Sequence, residues 1–143
     1  EDAGFANLYM VVAERSQLLC RNGWRPVINP HAEQGMGTSI AAGVDAASAH
    51  RRIVIALADM PMVGPHHLRL LAEGSGTVFT RQADGTPGSP AAFGQESFAA
   101  LRNLKGDRGA RSLSFPEASI VEPGDRRIVV DIDTPSELAR QQD

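Results

Sequence analysis

Residues 52–58 read Arg-Ile-Val-Ile-Ala-Leu-Ala, and the run stops abruptly at Asp59. No other stretch constrains the fold as much. An almost continuous apolar run with β-branched residues suits a strand covered on both faces, as in a parallel sheet between helices, better than a strand with one wet face. Residues 8–13, Leu-Tyr-Met-Val-Val-Ala, have the same character. The chain also supplies the helices to cover such strands. Ile40, Ala41, Val44 and Ala47 form an apolar face behind Thr38 or Ser39, the expected cap. Pro65 suits the first turn of a helix carrying Leu68, Leu70 and Leu71. Thr134, Pro135 and Glu137 read as a capping box at a last helix, and residues 16–21 as a short early one. Shorter strands are predicted at 25–29, 76–80, 91–93, 120–121 and 128–130, with a Gly- and Pro-rich loop over 83–90 that is too rich in both for a plain hairpin. Strands alternating with helices predict one three-layer α/β domain over residues 1–143.

Composition narrows the function classes. The chain has 143 residues and a net charge of −3, from 14 Lys and Arg against 17 Asp and Glu. The basic residues do not cluster, so a nucleic-acid partner is not expected. No run reaches the length of a membrane span, so no membrane partner is expected either. No signal peptide opens the chain, and the single Cys20 cannot make an intrachain disulfide, which fits a cytoplasmic protein. Cys20 follows Leu18 and Leu19 and reads as a buried thiol. Lone cysteine chemistry also excludes a zinc ribbon and an all-thiolate iron–sulfur site.

Acidic residues at strand ends are the first candidates for chemistry. Asp59 follows the most apolar strand, at the sheet edge where open α/β folds bind ligands. A carboxylate there needs a cation or N–H donors to stay charged, so Asp59 is either a magnesium ligand or a turn-capping residue. Asp131 and Asp133 fall on the same side of an extended segment, with Ile132 opposite. They either converge with Asp59 on one metal or merely precede a capped helix. Gly35, Met36, Gly37, Thr38 and Ser39 lead into a helix. Small residues there permit close approach of a nucleotide, and a helix start offers N–H groups; a tight turn feeding a packed helix is the alternative, with Met36 as a packing residue. Lys105, Arg108 and Arg111 stand near two glycines and can meet phosphate, or form a solvated basic turn. His31, His50, His66 and His67 lack ligand spacing and read as surface or capping residues.

Five segments, in order, resemble the MobA-like nucleotidyltransferases: NPHAEQGMGTSIAAGVDAA at 29–47, LADMPMV at 57–63, GSPAAF at 88–93, LKGDRGARSL at 104–113 and VDIDTPSEL at 130–138. They are most similar to the molybdenum cofactor cytidylyltransferase branch. The resemblance implies a three-layer Rossmann-like fold with a mixed, mostly parallel sheet. It implies transfer of a nucleotidyl group from CTP, or another NTP, to a molybdopterin-type or other phosphorylated acceptor, with release of pyrophosphate. A molybdoenzyme or its chaperone is the implied recipient. Asp59 and Asp133 resemble the metal-binding and catalytic pair, with Asp131 as a neighbour and magnesium (Mg2+), or manganese (Mn2+), as the cofactor. Gly35, Gly37, Thr38 and Ser39 match the nucleotide loop. Gly88, Ser89, Pro90, Arg108 and Arg111 match the acceptor side. Family members begin with a strand and a glycine-rich segment bearing Arg and Lys, whereas this chain begins at a position similar to the end of their first helix. The expectation is therefore a domain without its first strand and triphosphate loop, inactive as a 143-residue chain and part of a longer one.

Overall fold

The computed structural model describes residues 2–13 and 21–130. Cys20, most of the helix predicted at 16–21, Asp131, Asp133 and the capping box at Thr134 lie outside them. Strands β1 (Tyr9–Val12) and β2 (Arg25–Ile28) pair in parallel. Strands β3 (Arg52–Ile55), β4 (Val78–Arg81), β5 (Pro87–Gly94) and β6 (Ser119–Val121) form a second sheet in the order β3-β5-β4-β6. Strand β5 runs antiparallel to both β3 and β4, and β6 is parallel to β4. The sheet is mixed, and β3, β4 and β6 share one direction.

Helices cover both faces, and the alternation of side chains along the strands shows why. Ile53 and Ile55 of β3, Phe79 of β4, and Ala91 and Phe93 of β5 face one way. They pack with Ile40 and Val44 of helix α1 (Met36–Ala46) and with Phe98 and Leu101 of helix α3 (Phe98–Arg102). Phe79 and Phe93 meet edge to face at 5.7 Å between ring centres, with Phe115 tilted against both. Val54, Val78 and Ala92 face the other way, with Leu71 of helix α2 (Pro65–Glu73). The three-layer α/β architecture is thus present. No helix among the described residues is long and apolar enough to cross a membrane.

Several local expectations change. Strand β3 ends at Ile55 rather than Ala58, because the chain enters turns around Asp59. Helix α1 starts at Met36 behind Gly35, with no side-chain cap, so neither Thr38 nor Ser39 caps it. The Gly- and Pro-rich segment is a hairpin after all: Gln82 N–H bonds to Thr86 C=O at 2.8 Å, and β5 begins at Pro87. Phe79 pairs with Ala91 while Thr80 pairs with Gly88, so Ser89 and Pro90 occupy a bulge where a ladder N–H is not required of the proline. Residues 126–129 form a 3-10 turn, not a strand, since the Asp125 carboxylate accepts the Arg127 N–H at 2.9 Å and starts the turn. Pro65 does open α2, as the sequence indicated.

Candidate functional site

The directions of the strands gather chemistry at one rim. Strands β3, β4 and β6 end there and β5 begins there, with the N-terminus of α1 above. A cavity of about 210 Å³ opens at this rim, on the sheet face that carries Ile55, Phe79, Ala91 and Phe93. Its other walls come from Met36, Leu57 and Met60, from Gly88 and Ser89, and from Asp107, Gly109, Ala110 and Arg111. The segments at 35–39, 57–60, 88–89 and 107–111, far apart in sequence, therefore share one apolar-floored, polar-rimmed hollow.

Asp59 sits in the turn between Leu57 and Met60, both of which line the cavity. Its Oδ1 is fully occluded and has no hydrogen-bond partner among the described residues. A buried carboxylate oxygen without donors is a costly arrangement unless a cation completes it. The residue therefore does not behave as a turn cap there. It fits a hard divalent cation, for which carboxylate oxygen is the proper donor. Among the described residues no group of three His, Cys, Asp or Glu side chains could hold a metal, so Asp59 would need further ligands. Asp131 and Asp133 fall outside the described residues.

The loop at 35–39 has the form of the second reading, a tight turn feeding a packed helix. Gly37 N–H, at the start of α1, bonds to Gly106 C=O at 2.7 Å. The helix-start donor is consumed inside the protein. A side chain at Gly37 would lie 2.9 Å from three backbone atoms of Lys105, Gly106 and Arg108, and one at Gly35 (φ +110°) would strike Gly106 and Asp107. These glycines exist to seat one loop on another. Thr38 Oγ1 lies 2.9 Å from the His31 and Gly35 carbonyls, which compete for its one hydrogen, and it accepts from Asn29 Nδ2 at 2.9 Å. Ser39 Oγ accepts from the same amide at 3.0 Å. Asn29 is buried, and its Oδ1 accepts the His31 N–H. It organises the whole turn, and the sequence marked it only as the end of a short strand and the first residue of the 29–47 segment.

The acceptor-side residues divide. Gly88, Ser89 and Arg111 line the cavity. Pro90 is fully buried, its carbonyl accepting Thr80 Oγ1–H at 2.6 Å. Arg108 is exposed and contributes its backbone carbonyl to the seat for Gly37. Met36, read as a packing residue, is 42% exposed and forms cavity wall instead. His67 is buried rather than at the surface. Its Nε2 lies 2.8 Å from Thr80 Oγ1, and because that hydroxyl donates to Pro90, Nε2 must carry the proton. Burial, and then the neighbouring His66, hold the His67 pKa below the usual histidine range.

Comparison with known proteins agrees with this architecture. The model of the MobA-like NTP transferase domain matches residues 1–120. Purine catabolism protein PucB of Bacillus subtilis (strain 168) is 35% identical over 123 residues, covering 80% of this chain and 59% of PucB. The chain thus spans about three fifths of that relative's length. Rv0371c of Mycobacterium tuberculosis H37Rv superposes with a TM-score of 0.73 at 25% identity, over 97% of this chain and 76% of Rv0371c. Its manganese complex gives 0.74 at 25% identity, over 96% and 78%. With that domain matched over residues 1–120 and a relative 35% identical over 80% of its length, the chain belongs to the MobA-like NTP transferase family.

Proposed function

We propose that the full-length protein transfers the cytidylyl group of CTP to the terminal phosphate of a molybdopterin-type cofactor and releases pyrophosphate. An oxygen of that phosphate attacks the α-phosphorus of CTP. A new P–O bond forms as the bond from that phosphorus to the bridging oxygen of the β-phosphate breaks, and the electron pair leaves with pyrophosphate. The attacking oxygen is already anionic near neutral pH, so positioning matters more than a strong base.

The occluded Oδ1 of Asp59, without a partner among the described residues and in the turn that lines the cavity, carries this reading. Asp59 would hold Mg2+ or Mn2+, with Asp133 completing the site and Asp131 beside it; the manganese complex of Rv0371c supports a divalent cation. When bound, the ion supplies positive charge that offsets repulsion between two anionic substrates. Arg111 and the Ser89 hydroxyl, at the cavity wall, would hold the acceptor phosphate, with Gly88 and Pro90 shaping that wall and Arg108 adding charge. Gly35, Gly37, Thr38 and Ser39 would lie against the nucleotide by shape, since their hydrogen bonds serve the loop itself. PucB is named a purine catabolism protein, which supports a recipient, a molybdoenzyme or its chaperone, in purine breakdown. A protein of this kind would work in the cytoplasm, as one cysteine in the chain supports.

Pyrophosphate release by the full-length protein with CTP, GTP or ATP and a molybdopterin-type acceptor tests the reading. CTP is expected to be the preferred donor. Equal or better use of GTP would overturn the cytidylyl assignment and favour a guanylyltransferase or a related enzyme with another phosphorylated acceptor.

A further inference from the structure

Gln82 was not singled out by any motif, yet it lines the cavity and its amide is locked in one orientation. Its Nε2 donates to Thr80 C=O at 3.0 Å and to Ser89 C=O at 2.9 Å. Both partners are carbonyl oxygens, so only the NH2 end of the amide can face them; the flipped amide would set oxygen against oxygen twice. Both N–H groups are thereby spent. The carbonyl oxygen Oε1 is what the side chain has left to offer a ligand. Among the described residues Asp59 Oδ1 is the only buried side-chain polar atom without a partner. Oε1 of Gln82 makes no bond with them, so it is accessible rather than buried.

The packing around Gln82 is equally specific. A side chain at Gly88 would lie 2.5 Å from Gln82 Cδ and 2.7 Å from its Nε2. Gly88 therefore leaves the space in which the amide lies, which gives the glycine of the Gly88-Ser89-Pro90 segment a physical role. The result is a fixed hydrogen-bond acceptor beside an apolar floor of Phe79, Phe93 and Ile55. Such a floor suits a flat ring, and a fixed acceptor beside it suits a ring that carries an N–H donor.

We propose that Gln82 is a specificity residue whose Oε1 accepts a hydrogen bond from the amino group of an aminopyrimidine ring seated in this cavity. The inference rests on the transferase reading above, which supplies two rings of that chemistry: the cytosine of CTP and the pterin of the acceptor. Gln82 selects amino over oxo at the position it faces, and Gly88 is the positioning residue that keeps it there.

Binding to the full-length protein is measured by calorimetry for two matched pairs. CTP and UTP differ by an amino group against a carbonyl, and pterin and lumazine differ in the same way. In one pair the amino member is expected to bind about tenfold more tightly, the worth of one well-made hydrogen bond; that pair identifies the ring. Gln82→Met is expected to abolish the preference. Gly88→Ala is expected to do the same by displacing an unaltered glutamine, which keeps the test open if either variant folds poorly. A wild type indifferent within both pairs, or variants that keep its preference, would overturn the proposal. Wild-type pyrophosphate release distinguishes the two failures: its absence with CTP sinks the transferase reading, whereas turnover with an unchanged amino preference in both variants sinks only the assignment to Gln82.

Discussion

At the scale of single residues, Asp59 is the first case: its Oδ1 is occluded and has no donor among the described residues, an arrangement that costs about 1–3 kcal/mol without a cation. Asp59→Ala is therefore expected to raise the thermal midpoint measured in a chelator, or leave it unchanged. It is also expected to cut turnover of the full-length protein by about 100-fold or more, since several kcal/mol of charge stabilisation are lost. A variant less stable than wild type in chelator would show that the oxygen is paired after all. His67 makes a second case. Its pKa is held low in the folded state by burial and by His66, while the unfolded chain takes up the proton at about pH 6.5. Folding stability is then complete above about pH 6.5 and declines as the pH falls below it, until the folded state is protonated too. Denaturant midpoints at neutral and mildly acidic pH are expected to show this slope, and His67→Gln is expected to flatten it.

Elements show where local sequence rules hold and where tertiary contacts override them. Pro65 at the first turn of α2 was legible because its fixed backbone suits that position whatever surrounds it. Of strand β5 only residues 91–93 were, since Pro87 and Pro90 count against a strand over its first half. It forms because Pro87 sits at the strand end and Pro90 falls in the irregularity opposite Phe79 and Thr80. The start of α1 was misplaced for a related reason: Gly35 and Gly37 are set by residues 105–108, seventy positions or so further along, which no local pattern reveals. Gly37→Ala places a methyl group among three rigid backbone atoms, and is expected to destabilise the fold by about 1–3 kcal/mol in chemical denaturation. Gly124→Ala, with nothing within 4 Å, serves as the control and is expected to change little. Equal effects would remove the argument that loop seating selects glycine at position 37.

At the scale of the molecule, the apolar strands and their covering helices were readable because burial on both faces leaves a continuous apolar signature. The order of the five segments pointed to the family, and the matching domain agrees. The cavity was readable in part: Gly88, Ser89 and Arg111 reach it, while Met36 and Gln82 join them through packing that single positions do not announce. The internal use of Thr38 and Ser39 by Asn29 was equally invisible, since a hydroxyl reads the same whether it meets a ligand or a buried amide. One consequence follows from β5 running against its neighbours. The tip of the β4–β5 hairpin and the outgoing connectors of β3 and β6 converge on a single margin while the strands stay fixed. Short connectors can lengthen, shorten or change composition without disturbing Phe79, Phe93 or Val44 beneath them. A scaffold arranged this way separates the part that must be conserved to fold from the part that can be rewritten, so related chains can diverge in what they accept while remaining the same object underneath.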